Sequence, residues 1–162
     1  GLELQAYCDS DWLGCAYTRR SRTGYLLLLG GATISWKTKN QTVVSCLSTK
    51  AAYKAMAIIV SEVLCVCWLL KVLQAPQDHP IPLYCDNQAA RDIANNPVFH
   101  ERTKHVEMDC YFVKERVETK EIQLVRVDTK LQVADLFTKA LGAERLCTLS
   151  GKLGIRNLHA SA

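Results

Sequence analysis

The period of the hydrophobic pattern changes along this chain in an order that few folds accommodate: three strand-like segments come first, and helical segments alternate with single strands after them. Leu2, Leu4, Ala6 and Cys8 alternate as in a half-buried strand that closes on Asp9. Thr18 to Thr23 is polar and basic like a hairpin tip, and it precedes Gly24-Tyr25-Leu26-Leu27-Leu28-Leu29-Gly30-Gly31, a short apolar run bracketed by glycines as in a central strand. Ala32 to Lys37 alternates again, so three strands joined by short connections make an antiparallel meander. From Tyr53 the apolar positions 56, 57, 60, 63, 64, 67 and 70 keep the spacing of a buried helical face, with Ser48 or Thr49 as cap and Pro76 beyond the end.

The second half reads differently. Ile81 to Asp86 predicts a fourth strand, Asn87 to Asn95 a brief helix stopped by Asn96-Pro97, and Thr103 to Glu118 an amphipathic helix. Ile122 to Val127 alternates as a fifth strand, and Gln132 to Leu141 has helical periodicity. The order β-β-β-α-β-α-α-β-α implies an α/β (α+β mixed) fold: a five-stranded mixed sheet, three antiparallel strands and then parallel ones, flanked by helices. A chain of 162 residues has room for one core, so a single domain over 1–162 is expected.

Composition decides between broad classes. Apolar residues at 49% against 22% charged fit a globular protein and exclude a disordered or fibrous one. Ala51 to Leu73 raises the question of a membrane span, but Lys54, Ser61 and Glu62 interrupt it, and the reading is a buried core helix with no membrane partner. The start lacks a basic run followed by an apolar stretch, so no secretory signal is expected, and the bare Gly1 fits a fragment of something longer. The eight cysteines fall largely in apolar periodic segments, where free thiols serve as small hydrophobes, and with the four histidines they form no zinc spacing. Reduced thiols point to an intracellular location, cytoplasm or nucleus.

Net charge is only +4, yet Arg19, Arg20, Arg22, Lys37, Lys39, Lys50 and Lys54 follow one another with few acids between. That run suits a phosphate-backbone partner, and equally a solvated basic surface. Acids, by contrast, recur at element ends: Asp9 and Asp11 close the first strand, Asp86 the fourth, and Asp135 opens the last helix. Neighbouring strand ends converge on one sheet edge, where clustered carboxylates repel unless cations hold them together; hard oxygen ligands suit Mg²⁺ or Mn²⁺.

Seven blocks in order and spacing carry a resemblance. They are Asp9-Ser10-Asp11-Trp12-Leu13-Gly14-Cys15, Thr18-Arg19-Arg20-Ser21, Gly24-Tyr25, Ser35-Trp36-Lys37-Thr38-Lys39, Cys85-Asp86-Asn87-Gln88-Ala89-Ala90, Asn96-Pro97-Val98-Phe99-His100-Glu101-Arg102-Thr103-Lys104-His105 and Ala134-Asp135-Leu136-Phe137-Thr138-Lys139. Together they resemble the ribonuclease H region of plant copia-type retrotransposon Pol polyproteins from about Leu4 to Ile155. The resemblance implies a ribonuclease H-like fold and a two-metal nuclease that cuts the RNA strand of an RNA–DNA hybrid with four acids. Asp9, Asp86 and Asp135 match three of these as catalytic residues and metal ligands.

The fourth is absent. Where the family reads Ser-Thr-Glu-Ala-Glu-Tyr, this chain has Ser48-Thr49-Lys50-Ala51-Ala52-Tyr53, so the catalytic acid falls at Ala52 and Lys50 adds positive charge close to where the ions would sit. Glu62 is ten residues on, about 15 Å along the helix and rotated about 80°, and cannot substitute. Asp11, two residues beyond Asp9 on the same strand face and about 6 to 7 Å away, is the one surrogate within reach.

Three functions compete. The leading one is a domain that binds RNA–DNA hybrid or other nucleic acid through Arg19, Arg20, Arg22, Lys37, Lys39, His100, Arg102 and Lys104, with its nuclease chemistry impaired or lost. The others are a working ribonuclease H that tolerates Ala52, and a domesticated protein-interaction module on the same fold. Expected partners beyond nucleic acid are a reverse transcriptase within a parent polyprotein, or a host protein if the domain is domesticated. His100 to His105 reads equally as a phosphate contact or as a charged helix entry capped by Thr103, and Trp36 is expected in the core, with Trp12 and Tyr17 open between packing and nucleic-acid contact.

Overall fold

A computed structural model describes residues 2–96 and 104–155, with the side chains of 104–107 left out. The expected meander forms first: β1 (Leu4–Asp11) pairs antiparallel with β2 (Arg22–Leu29), and β2 with β3 (Ala32–Asn40). After α1 (Ser48–Val72) the chain returns along β4 (Ile81–Cys85), parallel to β1. Helices α2 (Gln88–Asn95) and α3 (Lys104–Glu118) then lead to β5 (Ile122–Arg126), parallel to β4. The sheet order is β3-β2-β1-β4-β5, the mixed five-stranded sheet the pattern implies.

One face of the sheet carries the main core. Leu4, Ala6, Cys8 and Leu27 of the sheet meet Ala52, Tyr53, Met56, Ile59, Val60 and Val63 of α1. Removing each large apolar side chain from water contributes about 1.5 to 3 kcal/mol. The Tyr53 hydroxyl, buried with its ring, donates to the Ala90 carbonyl at 2.7 Å and ties α1 to α2. Among the described residues, α1 is long and apolar enough to cross a membrane, but its inner face is this core. The opposite face of the sheet is covered by a smaller cluster of Leu26, Leu28, Val133 and Leu149.

Four local expectations need correction. Residues 132–141 are not an α-helix: two 3-10 turns, Thr129–Leu131 and Val133–Phe137, come first, and the helix α4 is Ala143–Lys152. The apolar spacing of Val133, Leu136, Phe137 and Leu141 serves packing against β2 rather than a continuous helix, and Gly142 then caps α4. The cap of α1 is Leu47 in extended conformation with no side-chain hydrogen bond, because the helix starts at Ser48 and so takes Ser48 and Thr49 into its first turn, where Gln41 separately donates to the Ala51 carbonyl at 3.0 Å. Trp36 is 61% exposed, since it alternates onto the outer face of the edge strand β3 beyond the reach of α4. β3 itself runs three residues past Lys37, through Asn40, whose partner is Arg22.

Candidate functional site

Asp9 stands near the end of β1, and Asp86 follows the last residue of β4, the parallel neighbour of β1. Asp135 comes from the second 3-10 turn. One carboxylate oxygen from each lies within 4.8 Å of the other two, and Asp9 and Asp135 are buried.

The turn reaches Asp9 because Gly24, directly across from Asp9 on β2, has no side chain. A Cβ there would lie 2.6 Å from Thr138 Cγ2, 2.9 Å from Phe137 Cβ and 3.2 Å from the Ala134 carbonyl. Four hydrogen bonds hold the turn in place. Buried Gln132 donates to the Cys8 carbonyl at 3.0 Å while accepting from the Ala134 amide, and the Thr38 hydroxyl donates to the Phe137 carbonyl at 2.8 Å. The Thr138 hydroxyl donates to Asp9 Oδ2 at 2.5 Å.

Two cations complete the cluster. Lys139 Nζ lies 2.7 Å from Asp135 Oδ1 and 3.2 Å from Asp9 Oδ2. The Arg145 guanidinium, from α4, pairs with Asp135 Oδ2 and donates to the Thr129 carbonyl. Burial pushes the Asp135 carboxyl up to about 6, helped by Asp9 and opposed by Lys139. Asp86 is raised for the same first reason, burial, and then by Asp9. Burial by itself pulls Lys139 down, but Asp9 and Asp135 together outweigh it, and its ammonium is held above the ordinary value.

The cleft in front of these groups has a volume of about 200 Å³. Asp9, Asp86 and Lys139 line it together with Ala52 and the thiols of Cys8 and Cys85. The Cys8 thiol is pushed well up, first by its hydrogen bond with Cys85 and then by burial, so it lines the floor as a neutral group. The remaining donors are hard oxygens, and three such oxygens this close could hold a hard divalent cation.

Other expected site residues fall elsewhere. Asp11 does not join the cluster: its carboxylate turns onto the β1–β2 connection, 1.9 Å from where a side chain on Gly14 would begin. Lys50 does not line the cleft; it acts with Lys54 on Asp109 of α3, and the lysine in the cleft is Lys139. Glu62 accepts from Ser35 on β3 at 2.7 Å, well away from the acids. Arg19, Arg20, Lys37 and Lys39 are exposed, Arg22 is half-buried against Asn40, and Tyr17 is almost wholly exposed. Trp12 is partly exposed and donates from Nε1 to the Ser45 carbonyl at 2.9 Å. His100 and Arg102 lie outside the described residues, as does the Thr103 cap; Lys104 opens α3.

Sequence reasoning passed over Gly24, Gln132, Thr138, Lys139 and Arg145 as site residues. The i, i+4 spacing of Asp135 and Lys139 was a usable signal for an ion pair. Arg145 offered none, because its helix was not expected.

Comparison with known proteins supplies the context. The chain is 39% identical over 154 residues to the Retrovirus-related Pol polyprotein from transposon RE2 of Arabidopsis thaliana, matching 95% of this chain and 11% of the relative. It is 38% identical over 154 residues to that from transposon RE1 of the same plant, and 34% over 140 residues to that from transposon TNT 1-94 of Nicotiana tabacum, 95% and 85% of this chain. It spans about a tenth of the length of these relatives. No family model matches. Among solved structures, RNase H1 from the archaeon Halobacterium salinarum superimposes with a TM-score of 0.60 at 13% identity, over 90% of this chain and 98% of that one. The N-terminal RNase H domain of rv2228c from Mycobacterium tuberculosis gives 0.59 at 6%, over 93% and 98%. LC11-RNase H1, solved in complex with an RNA/DNA hybrid, gives 0.58 at 10%, over 84% and 94%.

Proposed function

This chain belongs with the ribonuclease H-like domains of copia-type retrotransposon Pol polyproteins, and from that premise we propose that it binds RNA–DNA hybrid while cutting the RNA strand weakly or not at all. The observation that carries the reading is Ala52. It is buried at the start of α1 and lines the same cleft as Asp9 and Asp86, so a methyl group faces the site where the family pattern has a carboxylate.

Asp9, Asp86 and Asp135 are the residues that would hold divalent ions. The chemistry that Mg²⁺ or Mn²⁺ would supply there is activation of a water at neutral pH and charge stabilisation at the scissile phosphate. The protein's part is positional: Gln132 and Thr138 hold the Asp135 turn against β1, and Arg145 orients the Asp135 carboxylate. Without a fourth acid an ion is held more loosely, and the loss of one such interaction commonly costs on the order of 10² to 10³ in rate. Arg19, Arg20, Arg22, Lys37 and Lys39 supply positive charge for the phosphate backbone of a hybrid. Within a parent polyprotein the reverse transcriptase would deliver that hybrid.

A labelled RNA–DNA hybrid incubated with the chain in Mg²⁺ or Mn²⁺, beside a binding titration of the same hybrid, tests the proposal. Binding without appreciable cleavage is expected, and Ala52→Glu should raise cleavage by about 10²-fold or more. The impaired-site reading fails if the unmodified chain cleaves at a rate that Asp86→Asn abolishes and Ala52→Glu leaves unchanged.

A further inference from the structure

Given the reading that Asp9, Asp86 and Asp135 form a divalent-metal centre, we infer that Lys139 is a resident counter-ion that competes with divalent ions for Asp9 and Asp135. Its ammonium bridges the two carboxylates, at 3.2 Å and 2.7 Å, and it lines the cleft with Asp86. Asp135 follows a local i, i+4 spacing, but Asp9 is 130 positions away on β1, so the bridge is a tertiary contact and not a pair on a helix surface. A metal ion and an ammonium require the same thing here, two carboxylate oxygens at close range.

The surrounding donors sharpen the competition. Both oxygens of Asp135 are engaged, one by Lys139 and one by Arg145, and Asp9 Oδ2 accepts from Thr138 as well as facing Lys139. Asp86 forms no ion pair among the described residues. Lys139 and Arg145 thus leave one uncompensated negative charge among the three acids. That favours one divalent ion and opposes a second while the ammonium stays, because like charges at this range repel strongly. A carboxylate at position 52 would change the balance by a full charge. Ala52 therefore does more than remove a ligand: it leaves Lys139 the stronger competitor.

The test is calorimetric titration of Mn²⁺ into the whole chain and into Lys139→Gln, with circular dichroism to verify folding. Lys139→Gln should bind the ion about 10-fold more tightly, or take up a second one. A second measurement needs no variant: trace acetylation with an amine-reactive ester, read by mass spectrometry, reports how free Lys139 is relative to exposed Lys37. Added Mn²⁺ should raise labelling of Lys139 several-fold and leave Lys37 unchanged. Equal Mn²⁺ affinity and stoichiometry in both proteins, or labelling of Lys139 that Mn²⁺ does not alter, overturns the competition while leaving the metal centre standing. No Mn²⁺ binding by either folded protein removes the metal centre itself, and the inference with it.

Discussion

At the scale of single residues, the site is a balance between carboxylates that repel one another and the donors that hold them. Asp135 shows the balance most directly, because it is fully buried and its carboxyl is held up to about 6, against 3.8 in the unfolded chain. Between those values the folded state binds a proton that the unfolded state does not. The stability contributed by that proton is therefore fully present below pH 3.8 and is lost as pH rises through about 6. In metal-free buffer the difference in thermal midpoint between wild type and Asp135→Asn should shift in favour of the variant from pH 4 to pH 7. A difference that stays flat across that window would show that burial does not govern this carboxyl. Position 50 makes a second, contrasting point. Lys50 acts on Asp109 and stays out of the cleft, so adding Lys50→Glu to Ala52→Glu should change hybrid cleavage less than about threefold, well under the gain from Ala52→Glu alone.

At the scale of elements, the piece that completes the site is the 3-10 turn Val133–Phe137, which has little hydrogen-bonded structure of its own. It stays on the sheet because Gly24 leaves space and because Gln132 and Thr38 bridge it to β1 and β3. Gly24→Ala forces a methyl group to within 2.6 Å of Thr138 and should destabilise the fold by about 1 to 3 kcal/mol, as overpacking does. It should also weaken Mn²⁺ binding, because Asp135 moves with the turn. Unchanged Mn²⁺ affinity in a folded Gly24→Ala protein would mean that the turn's seat on β2 does not position Asp135. Gln132→Ala should cost a similar amount for a different reason, since the buried Cys8 carbonyl loses the donor that Gln132 now supplies.

At the scale of the whole molecule, the helices α1, α2 and α3 close one face of the sheet, and the acids gather at the ends of its central strands β1 and β4. Exposed basic residues lie on the β1–β2 connection and along the edge strand β3, so positive charge is spread over two neighbouring elements rather than gathered in a pocket. Such a surface binds phosphates by releasing counter-ions, with little selectivity for sequence. Hybrid affinity should fall steeply with salt, by about 10-fold or more between 50 and 200 mM, if several phosphates are contacted. Reversing Arg19 and Arg20 to Glu should flatten that dependence while leaving Mn²⁺ binding intact. A salt-independent affinity would favour a protein-interaction role for the domain.

The sequence by itself determined the architecture, because hydrophobic period is a local property: alternation in β1 and β3, the unbroken apolar run of the central strand β2 and the three–four spacing of α1 each mark their element. It also singled out Asp9, Asp86 and Asp135, whose carboxylate oxygens the fold brings within 4.8 Å of one another. Tertiary structure decided the rest. Which lysine neutralises the cluster depends on where Asp9 and Asp135 meet, a contact between residues more than a hundred positions apart. Where the Val133–Phe137 turn seats depends on a glycine across the sheet, because a side chain at Gly24 would collide with it. Trp36 and Asp11 were misplaced for the same reason: alternation tells which residues share a face, but only the assembled molecule shows which face another element covers and where a carboxylate turns.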